Sequence, residues 1–192
     1  MPSTLDLRSL IILDTAYTDR EACGFKAFIA PKVGRDLPIA DLPILLEDIK
    51  GLALYGDESK QLRPTDVFIM YPEAEKSWTA FKPADFATYE GQAFNGHAGE
   101  FSFYLFPQPL DMNPQVAMEA MAELVAERKC YDDIIIVSTS EWATPLRDAL
   151  KRLNLTNQYH HAAMPFSLTD EVVNLGFPLL SAYGIDLNEL KG

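Results

Sequence analysis

The chain has 192 residues, 48% of them hydrophobic and 23% charged, a length and balance that suit one globular domain with a substantial core. Sixteen Lys and Arg against 28 Asp and Glu leave a formal charge of −12, so the average field repels polyphosphate and argues against unaided nucleic-acid binding. No run approaches the roughly 18 to 20 apolar residues of a membrane-spanning helix, which argues against a membrane role. The two cysteines, Cys23 and Cys130, form no CxxC pair, as expected of a reducing compartment.

In chain order, "SLIILDTAY" (9–17) reads as a buried strand whose carboxyl end, Asp14, meets solvent. Asp6 and Arg8 break any signal-peptide pattern before it, so a cytoplasmic location is expected. "TDREACG" reads as a loop, and the alternation in "FKAFIAP" (25–31) predicts a second strand. Asp41 and Pro43 open a short helix over 41–51, with Leu45, Ile49 and Leu52 on one side and Gly51 near its end. "TDVFIMYPE" (65–73) is the next strand, stopped by Pro72. Residues 74–99 form an irregular, aromatic-rich insertion, and "EFSFYLFPQP" (100–109) follows as a strand.

Asn113 and Pro114 cap a helix in which Ala117, Met121, Leu124 and Val125 recur at helical spacing. "DDIIIVS" (132–138) is an uninterrupted β-branched run, the pattern of an inner parallel strand. Thr144 and Pro145 repeat the capping device, with Leu146, Ala149, Leu150 and Leu153 as the apolar stripe of the helix they open. A last helix is expected over 167–176, ended by Gly176 and Pro178. Strands separated by helices predict a single α/β domain over 1–192, a three-layer α/β/α sandwich with a mostly parallel central, Rossmann-like sheet. Ligands of such sheets gather at the carboxyl ends of strands, where Asp14 and the turn Ser138 to Thr144 would meet if their strands are neighbours.

From Glu119 to Leu153 the chain resembles the closing half of a PIN-like domain of the NYN branch. The residues that carry the likeness are Tyr131 and Asp132 entering an isoleucine run, then Ser138, Pro145 and Leu146. The family pattern at this point is a serine-led acidic turn, S-G-D-x-D-F-x-P-L, and the first strand ending in Asp14 is similar to the family's opening strand with its metal-binding aspartate. The resemblance implies RNA hydrolysis by clustered aspartates that hold divalent cations. This chain departs from that pattern. Registered on Pro145 and Leu146, the two turn aspartates become Ser140 and Trp142. Tyr17 stands where asparagine is frequent, Met121 lies close to where the preceding helix supplies an acid, and Glu141 remains but is offset by one residue.

The expected function is therefore a non-catalytic PIN/NYN-like binding or assembly module with no cofactor, working through a protein partner or self-association. An alternative is a divergent metal-dependent nuclease or phosphodiesterase in which Asp14 and Glu141 ligate Mg or Mn. A second is a nucleotide- or anion-binding turn built from the hydroxyls of Ser138, Thr139, Ser140 and Thr144, although it has no glycine to admit a phosphate closely. His97, Glu100, His160 and His161 lack the spacing of a metal motif, and adjacent histidines on a strand point to opposite faces. The aromatics from Trp78 to Phe106 have only Lys76 and Lys82 as nearby cations, so packing is their more economical use than RNA stacking.

Overall fold

The apolar runs of the sequence become the inner strands of a sheet. In the computed structural model, which describes residues 7–109, 112–153, 158–164 and 172–190, seven strands are found among the described residues. They are β1 (Arg8–Asp14), β2 (Thr65–Pro72), β3 (Ala93–Gly96), β4 (Gly99–Gln108), β5 (Tyr131–Val137), β6 (Gln158–Ala163) and β7 (Val172–Asn174). Their order is β3-β4-β2-β1-β5-β6-β7, and every pairing is parallel except the β3–β4 hairpin. The fold is thus α/β with a mostly parallel sheet. After β1 the chain builds outward to β2 and β4, then returns to the opposite side of β1 as β5, which makes β1 and β5 the strands where the direction of winding reverses.

Six helices accompany the sheet among the described residues: α1 (Thr15–Val33), α2 (Leu42–Ala53), α3 (Glu58–Gln61), α4 (Pro114–Arg128), α5 (Ser140–Arg152) and α6 (Gly176–Ala182). The period-two alternation of the strands divides the core. Ile11, Leu13, Val67, Ile69, Ile135 and Val137 pack with Leu45 and Ile49 of α2 and Leu179 of α6. Leu10, Ile12, Phe68, Ile134 and Ile136 turn the other way, onto Met118 and Met121 of α4 and Leu146 and Leu150 of α5. Burial on both faces explains why β1 and β5 read as continuous apolar runs. None of the helices among the described residues is long and apolar enough to cross a membrane.

Several expectations are met closely. Asp41 caps α2 by accepting from the Ile44 amide at 3.1 Å, and Asn113 caps α4 by accepting from the Gln115 amide at 2.8 Å. The strands expected at 65–73, 100–109 and 132–138 are present within a residue or two of those bounds. Leu45 and Ile49 are buried as expected, but Leu52 is 43% exposed.

Others are corrected. Residues 18–31 are neither loop nor strand, because α1 runs unbroken from Thr15 to Val33. Asp14 caps it and Gly34, at φ +66°, ends it in the left-handed conformation that glycine adopts without strain. The apparent alternation of "FKAFIAP" misleads because Phe28 is 61% exposed, whereas Thr15, Thr18, Ala22 and Ile29 bury at helical spacing. The helix expected over 167–176 is not found as such. Residues 165–171 lie outside the described residues, Val172–Asn174 form β7, and Gly176 and Pro178 open α6 rather than ending a helix.

The aromatic insertion is tied into the core. Trp78 packs edge-on against Phe81, Phe86 and Tyr89, with ring centroids 5.1 to 5.9 Å apart, and all four are buried. The Asp19 carboxylate on α1 accepts the backbone amides of Thr79 and Ala80 at 2.7 to 2.9 Å, which fixes the excursion over the start of that helix. Phe94 of β3 stacks on Phe101 of β4 at 4.6 Å, a cross-strand pair on the hairpin.

Lys50 is fully buried, and its ammonium donates to the carbonyls of Arg63 at 2.6 Å and Ala98 at 2.7 Å. It joins α2 to the approach to β2 and to the β3–β4 turn. Burial disfavours the charged amine and brings its pKa down to about 8. A folded pKa below the unfolded value stabilises the fold most above the unfolded pKa, and that contribution is lost as pH falls through about 8. Wild-type protein should therefore gain stability relative to Lys50→Met between about pH 8 and 10.5. Urea denaturation across that range measures it, and parallel pH profiles for the two proteins would contradict the assignment.

Candidate functional site

The carboxyl ends of β1 and β5 are neighbours, with Leu13 paired to Val137, so the residues that follow, Asp14 and Ser138, meet at the reversal point of the sheet. Asp14 is buried, at 9% exposure, and its carboxylate is engaged on both oxygens. Oδ1 accepts the Tyr17 amide at 3.1 Å, which caps α1, and Oδ2 accepts the Ser138 hydroxyl at 2.6 Å. The Asp14 carbonyl in turn accepts the Thr18 hydroxyl at 2.7 Å. Ser138 is completely buried.

The contact extends into a closed ring. The Ser138 carbonyl lies 2.8 Å from His161 Nε2 on β6, and because a carbonyl only accepts, that nitrogen carries the proton. Beyond His161, the Met164 amide donates to the Tyr17 hydroxyl at 2.9 Å, which returns the ring to α1. Three strands and one helix are thereby locked at their solvent-facing ends. Burial pushes the Asp14 carboxyl above its usual range, and the hydrogen bonds from Ser138 and the Tyr17 amide partly counter that shift. Burial also raises the Tyr17 phenol.

The remaining predicted site residues do not gather at this point. Helix α5 begins at Ser140, with Thr139 as its N-cap residue, five positions before the start expected at Thr144 and Pro145. Ser140, Glu141 and Thr144 are exposed, and Glu141 sits in the first turn, where the positive end of the helix dipole favours an acid. Pro145 lies inside the helix; this early in the helix, the missing N–H costs a single bond, to the Glu141 carbonyl. The Thr139 hydroxyl makes no capping bond, so the 138–144 segment is a strand end running directly into a helix rather than an open turn. Trp142 packs against the cluster of α4 and α5, and Met121 is buried in it. No group of three or more His, Cys, Asp or Glu is placed to hold a metal ion among the described residues.

His97 and Glu100 are exposed on the β3–β4 hairpin, away from both β6 histidines, which diverge as their positions on a strand require. His161 reaches Ser138, while His160 lies 3.7 Å from the fully buried Asp133. Asp133 also pairs with Lys60 at 3.0 Å and Arg63 at 3.6 Å, and its pKa is lowered despite the opposing effect of burial, through the neighbouring His160 imidazole and the bond from Lys60. The roles of Tyr17, His161 and Asp19 escaped the sequence reading. A buried phenol or imidazole has no local signature, and Asp19 lies 60 and 61 residues from its partners Thr79 and Ala80, a separation no local pattern reports.

A group of exposed apolar side chains lies elsewhere, beside α2 and α6. Leu52, Tyr55, Phe177 and Leu187 line a groove there with exposures of 43%, 88%, 55% and 56%. Comparison with known proteins matches residues 7–190 to a family model described as a family of unknown function. No curated protein matches the chain.

The ring at the strand tips predicts two effects. Asp14→Ala removes the α1 cap and strands the Ser138 hydroxyl, and should cost about 2 to 4 kcal/mol. Asp14→Asn keeps an acceptor for the Tyr17 amide and should cost about 1 kcal/mol or less near neutral pH. Because the folded pKa of Asp14 is raised, wild-type protein should lose stability relative to the Asn variant as pH rises from the ordinary aspartate range through that value. Ser138→Ala should raise the Asp14 pKa further, read by carboxyl-carbon NMR titration; an unchanged or lower value would show that the hydroxyl does not support the carboxylate.

Proposed function

The chain belongs to DUF6621, the family so described, and from the geometry of its strand tips we propose that it is a non-catalytic binding or assembly module. The fold we assign to it is a three-layer α/β/α sandwich of the PIN/NYN-like, Rossmann-related kind, in which the acidic site of the resemblance has been turned to structural use. The strand order supports that reading, since the six parallel strands alone run in the doubly wound order 3-2-1-4-5-6. The observation that carries the functional reading is the double engagement of Asp14. One oxygen holds the first turn of α1 and the other holds β5 through Ser138, so the carboxylate that would lead a metal cluster is committed to joining secondary-structure elements.

The surroundings agree with this assignment. Hard divalent cations are held by several oxygen ligands. Here the positions registered on the family's turn acids are an exposed serine, Ser140, and a packed indole, Trp142, while Glu141 faces water on α5. The protein then acts through surface recognition, in the cytoplasm, on a protein partner or a second copy, and not on nucleic acid, which its charge of −12 repels. The α2–α6 groove is the surface that serves this role, because large apolar side chains are clustered there and not scattered singly.

Thermal denaturation with and without millimolar Mg²⁺ or Mn²⁺ tests the reading. The midpoint should be unaffected by either cation in the wild-type protein, in Asp14→Asn and in Glu141→Gln. Stabilisation that disappears in Asp14→Asn or Glu141→Gln would establish a working cation site and replace this proposal by the metal-dependent nuclease or phosphodiesterase.

A further inference from the structure

Helix α2 ends in Leu52 and Ala53, and the chain then exposes Tyr55 before α3; α6 lies alongside with Phe177 turned outward. Between them is a groove of about 460 Å³ whose floor is Leu180 and the buried Ile185, and whose walls are Leu52, Tyr55, Phe177 and Leu187. A second concavity shares Leu52 and Phe177 and continues to Val172 and Val173 of β7, the end strand of the sheet among the described residues. The two concavities meet at Leu52 and Phe177 and together run from the sheet edge to Leu187.

Among the described residues the charges at its rim have one sign. Asp48 and Glu47 line the groove, one Glu47 carboxylate oxygen being buried, and neither concavity has a lysine or arginine among its described lining residues. The neighbouring cations are already occupied, Lys50 by two carbonyls and Lys60 by Asp132 and Asp133. An apolar floor with an acidic rim, on a chain of charge −12, selects a cationic partner and disfavours a second copy, which would bring the same acids and the same net charge. A groove formed beside two helices takes a third by receiving side chains from one face at i, i+3, i+4 and i+7 spacing.

Resting on the binding-module reading, we infer that the α2–α6 groove receives an amphipathic helix from another protein, with apolar anchors against Leu52 and Phe177 and lysine or arginine facing Glu47 and Asp48. Aromatic groups at such a surface carry a large share of binding, so Tyr55 and Phe177 are the expected energetic centres. The rim acids contribute mainly to association rate and to selection by charge.

The test uses the full chain and three labelled peptides of about 18 residues, roughly 27 Å as helix. One is a Leu/Lys peptide with leucines at amphipathic spacing, one has the same composition scrambled to remove the apolar face, and one has Glu in place of Lys. Fluorescence anisotropy should show binding of the first alone, weakened about tenfold or more by Phe177→Ser or Tyr55→Ser and severalfold by Glu47→Gln combined with Asp48→Asn. Glu123→Gln, exposed on the outer side of α4, should change nothing; circular dichroism and thermal midpoints should match across variants. Equal binding of the scrambled peptide, equal affinity in all variants, or no binding at all would overturn the assignment, as would a dimer by light scattering that Phe177→Ser dissociates. Cation stabilisation through Asp14 would instead overturn the strand-tip reading and leave these peptide results untouched, so the two failures are separable.

Discussion

The 2.6 Å hydrogen bond from the Ser138 hydroxyl to the Asp14 carboxylate is the contact on which the arrangement of the strand tips depends. It joins the two strands between which the sheet reverses its winding, at the level where each gives way to a helix on a different face. A carboxylate taken out of water must recover its lost hydration through hydrogen bonds, and Asp14 does so from the Tyr17 amide and Ser138. The same bonds that make its burial tolerable orient α1 and β5. His161 and Tyr17 then carry the constraint outward to β6.

This geometry separates two properties that the position of a residue can confuse. In open α/β sheets, the carboxyl ends of the strands at the reversal point are where ligands gather, so an acid there invites a catalytic interpretation. The chemistry depends on what else arrives. Helix α5 starts directly after the strand and carries Glu141 and Ser140 on its exposed side, and Trp142 turns into the core. The acid at the tip is thereby left with structural neighbours. Exposed apolar side chains gather on a different surface, beside the helices α2 and α6.

Much of this was legible in the sequence where local rules dominate. The isoleucine run of β5, the caps at Asp41 and Asn113, and the meeting of Asp14 with Ser138 follow from burial on both sheet faces, from side chains that satisfy orphan amides, and from the winding of parallel strands. Helix α1 was not legible because three of its five buried positions are small or polar, Thr15, Thr18 and Ala22, and Phe28 faces solvent. The true start of α5 was hidden by Thr144 and Pro145, a capping signal that tertiary structure overrode by packing Trp142 and Ala143 one turn earlier. The ring through His161 and Tyr17 joins residues far apart in the chain, and no spacing rule reports such contacts.

Lys50 carries a consequence of a different kind. Its amine is less basic than an exposed lysine's, so at mildly alkaline pH a larger fraction is deprotonated and intrinsically ready to react with acylating reagents. Enclosure keeps those reagents out, since the nitrogen is held between the Arg63 and Ala98 carbonyls. Its acylation rate is then set by how often α2 parts from the β3–β4 turn, which makes this side chain an internal clock for breathing of that flank.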